Sequence, residues 1–348
     1  MRPYDALLIV SFGGPEGPAD VMPFLHNVTA GRGVPSERLV EVAEHYLHVG
    51  GVSPINGQNR ALLAAVRADV AEHGMDLPVY WGNRHWTPTI TEVLAQMRDD
   101  GVTNAIAFLT SAYASFSSCR QYLDAIDRAR AELGEGAPRV DRLRQYFNHP
   151  GFIEPMIDGV RAALATLPGD QRETAHLAFV AHSIPTVMDA SSGPTGGLYT
   201  AQLAEAARLV TQGLDTPALS HETKSRSTSL SYCSRSGSAS VPWLEPDIAD
   251  LLRELAADGA EAVVVVPIGF VSDHMEVVYD LDTEAAQVAA ELGLRFVRSA
   301  TVGTEPRFVA MVRELVLERV ATVPARALGT LGPAHDVCPD HCCRMPAR

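Results

Sequence analysis

A chain of 348 residues, 46% hydrophobic and 20% charged, carries enough apolar material for two domains of ordinary size, which excludes an intrinsically disordered protein. Its formal net charge of −14 argues against nucleic acid or an anionic membrane surface as the main partner, because both repel a polyanion. No apolar run approaches the roughly 20 residues that a membrane-spanning helix needs.

The opening Met1-Arg2-Pro3-Tyr4-Asp5 places an acidic residue before the first apolar run, unlike a secretory signal, so the expected compartment is the cytoplasm. There the cysteines Cys119, Cys233, Cys338, Cys342 and Cys343 are expected as thiols or metal ligands rather than disulfides. Residues 6–11 read as a strand, and the glycine-rich turn 12–18 after it lacks both the GxGxxG and the GKS/T spacing of nucleotide-binding loops. Helices are predicted over 21–28, 36–47 and 59–73, parted by the turn formers of 32–35 and 50–57. A strand at 78–82 delivers Asn83-Arg84-His85-Trp86; a helix at 89–99, a strand at 104–109 and a helix from Cys119 to about Leu133 follow. This alternation predicts an α/β fold with parallel sheets.

At 140–147 the strand-like VDRLRQYF gives way to His149-Pro150-Gly151, and the pattern resets. The expected division is therefore a first domain over 1–148, a second over 149–304, a C-terminal helix over 305–325 packing back on the first domain, and a cysteine-containing tail over 326–348. That tail can be ordered only if something ties it down. The second half repeats the rhythm: helix 153–165, strand 177–181, a Gly/Ser/Pro loop at 191–197, helix 199–212, a polar stretch at 216–231, helix 247–257, strand 263–267, strand 294–297 and helix 308–320.

Two strand ends in this half carry chemistry. The run 177–181 ends on His182, whose imidazole, with an ordinary pKa near 6.5, can ligate a metal or take protons. Beyond the four valines before Pro267, Asp273, Glu276, Asp280 and Glu284 step by three, four and four residues, so one helix would stack them along one face. A solvated helix face is the bland alternative. At the carboxyl end of a buried parallel strand, where open α/β sheets bind ligands, the ladder instead reads as a path for cations.

The motifs SFGGPEGP, HYLHVGGVSPINGQNR, GNRHW, TSAYASFSSC, AHSIP, VPWLEPD and PIGFVSDHMEVVYDLD, in this order over roughly residues 5–320, resemble those of the ferrochelatases, most closely the actinobacterial type. The resemblance implies two Rossmann-like domains of the chelatase type with a porphyrin cleft between them. It implies insertion of Fe(II) into coproporphyrin III to give Fe-coproporphyrin III. His182 and Glu276 would bind the metal, with His182 also accepting pyrrole protons; Asp280 and Glu284 would line the delivery path; Ser53 and Tyr122 would contact the porphyrin. Arg32 and Arg120 are candidates to pair with propionates.

The chain departs from relatives at Phe12, where many carry tyrosine, and at Thr29 and Ala30, where some carry a basic pair. The resemblance also implies a [2Fe-2S] cluster on Cys119, Cys338, Cys342 and Cys343, leaving Cys233 out; His335 or His341 could replace one of the adjacent pair, and a free, oxidation-prone tail is the alternative. A monomer is expected, with transient contact to the next haem-pathway enzyme. Other readings stay open: a protoporphyrin IX ferrochelatase, a chelatase for another tetrapyrrole or metal, or a haem-binding or delivery protein without catalysis.

Overall fold

Fully buried aliphatic runs organise both halves of the molecule, whose computed structural model describes residues 3–31, 33–214, 226–236, 240–320 and 323–345. β1 (Ala6–Ser11), β2 (Val79–Asn83), β3 (Asn104–Leu109) and β4 (Arg139–Arg142) form one parallel sheet in the order β2-β1-β3-β4. β5 (His176–His182), β6 (Thr228–Cys233), β7 (Ala262–Val266) and β8 (Arg295–Arg298) form a second in the order β6-β5-β7-β8. The two halves thus share one winding pattern. Ile9 lies between Trp81 and Phe108, and Phe179 between Leu230 and Val266. Every residue of β1 and β7 is buried, which is why these strands read as unbroken apolar runs. In each sheet the winding reverses direction beside the first strand, between β1 and β3 and between β5 and β7. Each reversal opens a crevice at the carboxyl edge, where ligands of open α/β sheets sit.

Two predicted elements differ. The strand expected over 140–147 stops at Arg142: Tyr146 and Phe147 turn into the core, while Arg142 and Arg144 reach the C-terminal segment. The polar stretch 216–231 hides β6, an edge strand that is exposed at Thr228 and buried from Ser231 onward; residues 215–225 lie outside the described residues. Among the described residues, no helix is long and apolar enough to cross a membrane.

The helix Pro306–Arg319 packs on both Ile55–Glu72 and Pro150–Ala165, and Arg313 Nε donates to Asp69 Oδ2 at 2.8 Å. Beyond it the tail is fastened by buried polar groups as well as by its cysteines. Asn148 Nδ2 donates to the carbonyls of Leu328 (3.0 Å) and Gly332 (2.8 Å), Glu205 Oε1 accepts the Thr330 N–H (2.7 Å), and Arg142 donates to the His335 carbonyl (3.1 Å). Arg144 donates to Glu318 at 2.7 Å and to the Arg326 carbonyl at 2.7 Å, with side chains only 4% and 6% exposed in the ion pair. Burial alone would raise the Glu318 pKa, but His149 and Arg144 hold it down to about 2. Removing one partner of such a pair strands a charge. Arg144→Ala is therefore expected to cost about 3–5 kcal/mol, read from the urea midpoint; a loss below about 1 kcal/mol would show that this network does not hold the tail.

Candidate active site

His182 is the last residue of β5, at the reversal between β5 and β7. Its Nδ1 is hydrogen-bonded to the carbonyl oxygen of Ser183, a group that can only accept, so Nδ1 carries the proton. Nε2 is left as the reactive nitrogen, and it lies 3.5 Å from Glu276 Oε1. A backbone carbonyl that fixes the tautomer in this way is the usual partner of a metal-ligating histidine. Both side chains remain reachable, 34% and 42% exposed.

Glu276 lies in the first turn of the helix that begins at Met275, delivered by the loop that follows β7. That loop runs against β5: Gly269 N donates to the Val180 carbonyl at 3.1 Å, and a Cβ on Gly269 would lie 2.7 Å from Ala181 Cα. Gly269→Ala is accordingly expected to push the loop off β5 and part Glu276 from His182, weakening divalent-metal binding by about tenfold or more in a chain that still folds. Unchanged affinity in a metal titration would show that the loop has room to spare. His274 Nδ1 accepts the Glu276 N–H at 3.1 Å and so caps the start of the helix; burial lowers its pKa and keeps it neutral.

Burial opposes the charge on both partners of the central pair, yet each stabilises the other. His182 is raised to about 9, chiefly against its own desolvation, by the Glu276 carboxylate; Glu276 is lowered to about 2, against its desolvation, by His182. At neutral pH the pair is imidazolium and carboxylate.

Below it the chain winds as a π-helix over Val277–Ala285, whose i→i+5 bonding is characteristic of functional sites. Asp280, like Glu276, is half-buried, and Glu284 is exposed. Burial, with Glu276 and Glu284 nearby, raises Asp280 to about 7 although Ser234 Oγ donates to it. Asp273 does not join the expected ladder. It precedes the helix, which begins at Met275, and pairs with Arg298 (3.2 Å) and Thr301 (3.1 Å); Arg298 also holds Asp282.

The substrate-contacting residues expected from the sequence lie in the first half. Ser53 N donates to the Pro15 carbonyl at 2.8 Å, and Ser53 is 4% exposed, packed where a Cβ on Gly14 would come within 2.7 Å of it. Tyr122 is 5% exposed in the core of the first sheet, and the Arg84 guanidinium covers its ring at 4.6 Å. Arg84 thus holds one face of that ring. Arg120 pairs with Asp124 at 2.9 Å, and Arg32 lies outside the described residues. Residues that sequence spacing gave no reason to select approach the pair instead. His45 stacks on Tyr279 at 4.1 Å, and Tyr46 has its pKa raised by burial and by Glu276 and Asp280.

The ferrochelatase family model matches residues 4–320. The chain belongs to the ferrochelatase family. It is 58% identical over 365 aligned positions to the coproporphyrin III ferrochelatase of Streptomyces griseus, covering 99% of this chain and 94% of that protein. Identity to the coproporphyrin III ferrochelatase of Nocardia farcinica is 54%, covering 93% and 91%. To the ferrochelatase of Rhodopirellula baltica it is 50%, covering 100% and 95%. Among solved structures, SirB from Bacillus subtilis with Fe3+ matches with a TM-score of 0.55 at 13% identity, over 91% of this chain and 97% of that one. SirB from the subspecies spizizenii in complex with cobalt matches with a TM-score of 0.52 at 12% identity, over 91% and 95%. These likenesses show the chelatase-type fold of two Rossmann-like halves, and the family makes the chain a lyase.

In this ferrochelatase the tail cysteines converge on the first half. Cys343 Sγ lies 3.6 Å from Cys119 Sγ and 3.8 Å from Cys342 Sγ. The donor atoms of His335, Cys338 and Cys342 all lie within 4.8 Å of one another. Cys338 accepts from Arg142 at 3.0 Å and Cys343 from the Gly193 N–H at 3.1 Å. The Cys342 hydrogen bond, with His335 and Arg142, pulls the Cys338 thiol far down, to about 3. Cys233 stands apart at the end of β6, beside Ser234.

Proposed function

We propose that this ferrochelatase inserts Fe(II) into coproporphyrin III, with Glu276 and His182 Nε2 receiving the metal and His182 accepting pyrrole protons. The observation that carries the reading is the His182–Glu276 pair at 3.5 Å, with Nδ1 locked on a carbonyl. Imidazole and carboxylate suit Fe(II) without the grip of thiolates, as a metal in transit requires.

Metallation exchanges two pyrrole N–H protons for one dication. Glu284, Asp280 and Glu276 form a line along which Fe(II) can move inward. When the dication reaches Glu276, the carboxylate no longer stabilises the imidazolium and the His182 proton leaves; neutral Nε2 takes the cation first and, once the cation has passed into the ring, accepts one pyrrole proton, the other leaving along the carboxylates. Asp280, held near 7, is suited to relay released protons along the same line. Ser53 and Tyr122 would contact the macrocycle from the first half, Tyr122 with the Arg84 guanidinium on one face of its ring.

Cys119, Cys338, Cys342 and Cys343 would hold a [2Fe-2S] cluster: the four thiols follow one another as near neighbours, Cys119 to Cys343 to Cys342 to Cys338, and two of them receive N–H donors, which fits an all-cysteine centre. Bound there, the cluster supplies a cross-link between the tail and the first half; metal insertion needs no electron from it. The test is anaerobic insertion of Fe(II) into coproporphyrin III and protoporphyrin IX side by side. Faster turnover of coproporphyrin III is expected. A preference for protoporphyrin IX would reassign the substrate, and no turnover of either would favour a haem-carrying role.

A further inference from the structure

The helix Leu198–Leu214 begins where three parts of the molecule meet. Leu198 packs on Ala114, Cys119, Cys342 and Cys343. Tyr199, buried beside it, donates its hydroxyl to the carbonyl oxygen of His182 at 2.8 Å. One turn later Gln202 Oε1 accepts the Ala114 N–H at 2.7 Å. The loop leading in is tied to the same thiols, since Gly193 N–H donates to Cys343 Sγ. Next to it, the wholly buried Ser192 accepts the Tyr199 N–H on its Oγ at 2.8 Å and donates to the Asp189 carbonyl at 2.7 Å. Gly193 sits at φ +73°, and a Cβ there would meet Leu198 at 2.5 Å, so the loop closes on the helix only because this residue is glycine.

Helical hydrogen bonding leaves the first turn little freedom of its own, so Leu198, Tyr199 and Gln202 move as one body. We propose that Tyr199 is a positioning residue for His182, and that this helical turn fixes the end of β5 relative to the tail thiols. The inference rests on the role given to His182 above. The Tyr199 hydroxyl holds the His182 carbonyl, and hence the backbone from which the imidazole projects; without it, a buried acceptor loses its donor and the strand end relaxes.

Tyr199→Phe removes only the hydroxyl. The expected result is a fall in kcat for iron insertion of about tenfold, the size of an outer-sphere positioning effect, with KM for coproporphyrin III unchanged. The His182 ring signals in the NMR spectrum of the metal-free protein should move. Cys343→Ser, or Leu198→Ala if that variant does not fold, should move the same signals in the wild-type background and add nothing in the Tyr199→Phe background. Unmoved ring signals in Tyr199→Phe would overturn the positioning role, whatever the activity. Additive effects of the two substitutions would overturn the link to the thiols. Turnover surviving in His182→Ala would instead defeat the assignment of His182, and would leave the ring-signal result standing.

Discussion

Replacing His182 by alanine is expected to cut iron insertion by about 10²–10⁴-fold, the range for loss of a positioned proton acceptor, while coproporphyrin III still binds. Porphyrin fluorescence titration and an anaerobic turnover assay check the two halves of that statement; affinity collapsing together with turnover would place His182 in porphyrin binding instead. The pH dependence follows from the pair. His182 is protonated below about 9, because Glu276 stabilises its charge, so its own proton competes with incoming metal and insertion should quicken as pH rises toward that value. Glu276→Gln removes the carboxylate. Burial then dominates, the imidazole pKa falls, and the rising limb moves to lower pH while the enzyme needs more iron to reach the same rate. A limb that stays in place, with iron dependence unchanged, would refute the coupling.

The same shifts bear on stability, with opposite signs. The raised His182 pKa contributes stability that is full below its ordinary value near 6.5 and is lost as pH rises through about 9. The lowered Glu276 pKa contributes stability above its ordinary range that is lost as pH falls through about 2. Both groups are partly open to water, so these contributions are small.

Protein purified without oxygen is expected to be brown, with iron and labile sulfide in equal amounts. Serine at Cys119, Cys338, Cys342 or Cys343 should bleach it; serine at Cys233 should not. The thermal midpoint should fall in the bleached variants, but the tail should stay docked through residue 335, because Asn148, Glu205 and Arg142 hold it independently of any thiol. Hydrogen exchange of the tail amides reads this directly. A colourless anaerobic preparation would defeat the cluster assignment, and bleaching by Cys233→Ser would show the internal ligand to be wrong.

The central strands were legible because parallel strands covered on both faces leave no alternation to misread, and the two chemically loaded strand ends followed from them. β6 was not, since an edge strand in which serines alternate with Leu230 and Tyr232 looks like a loop when polar composition is weighed. The arginines of VDRLRQYF mimicked the alternation of a strand, whereas their side chains reach a tail far along the chain. Asp273 left the ladder because His274 caps the helix after it, a boundary that spacing alone does not mark. The π-winding likewise has no residue signature. Tyr113 and Tyr199 escaped notice for a different reason: their partners are the backbone carbonyls of Ile268 and His182, and a carbonyl has no letter in the sequence.

The chain passes between the two halves twice, before Pro150–Ala165 and before Pro306–Arg319, and the two helices that receive it touch near their starts. A Cβ on Gly151 would lie 2.7 Å from the Arg307 carbonyl oxygen and 2.7 Å from Met311 Cβ. One apolar core runs through both halves, and Tyr113 and Gln202 add hydrogen bonds across it, so the two crossings are seated in a shared interior. His182 and Glu276 both ride the second sheet, one at the end of β5 and the other beyond β7, so their spacing is set within a single half. The gauge between the two side chains is thus built into one sheet, as a jig holds two parts at a set distance.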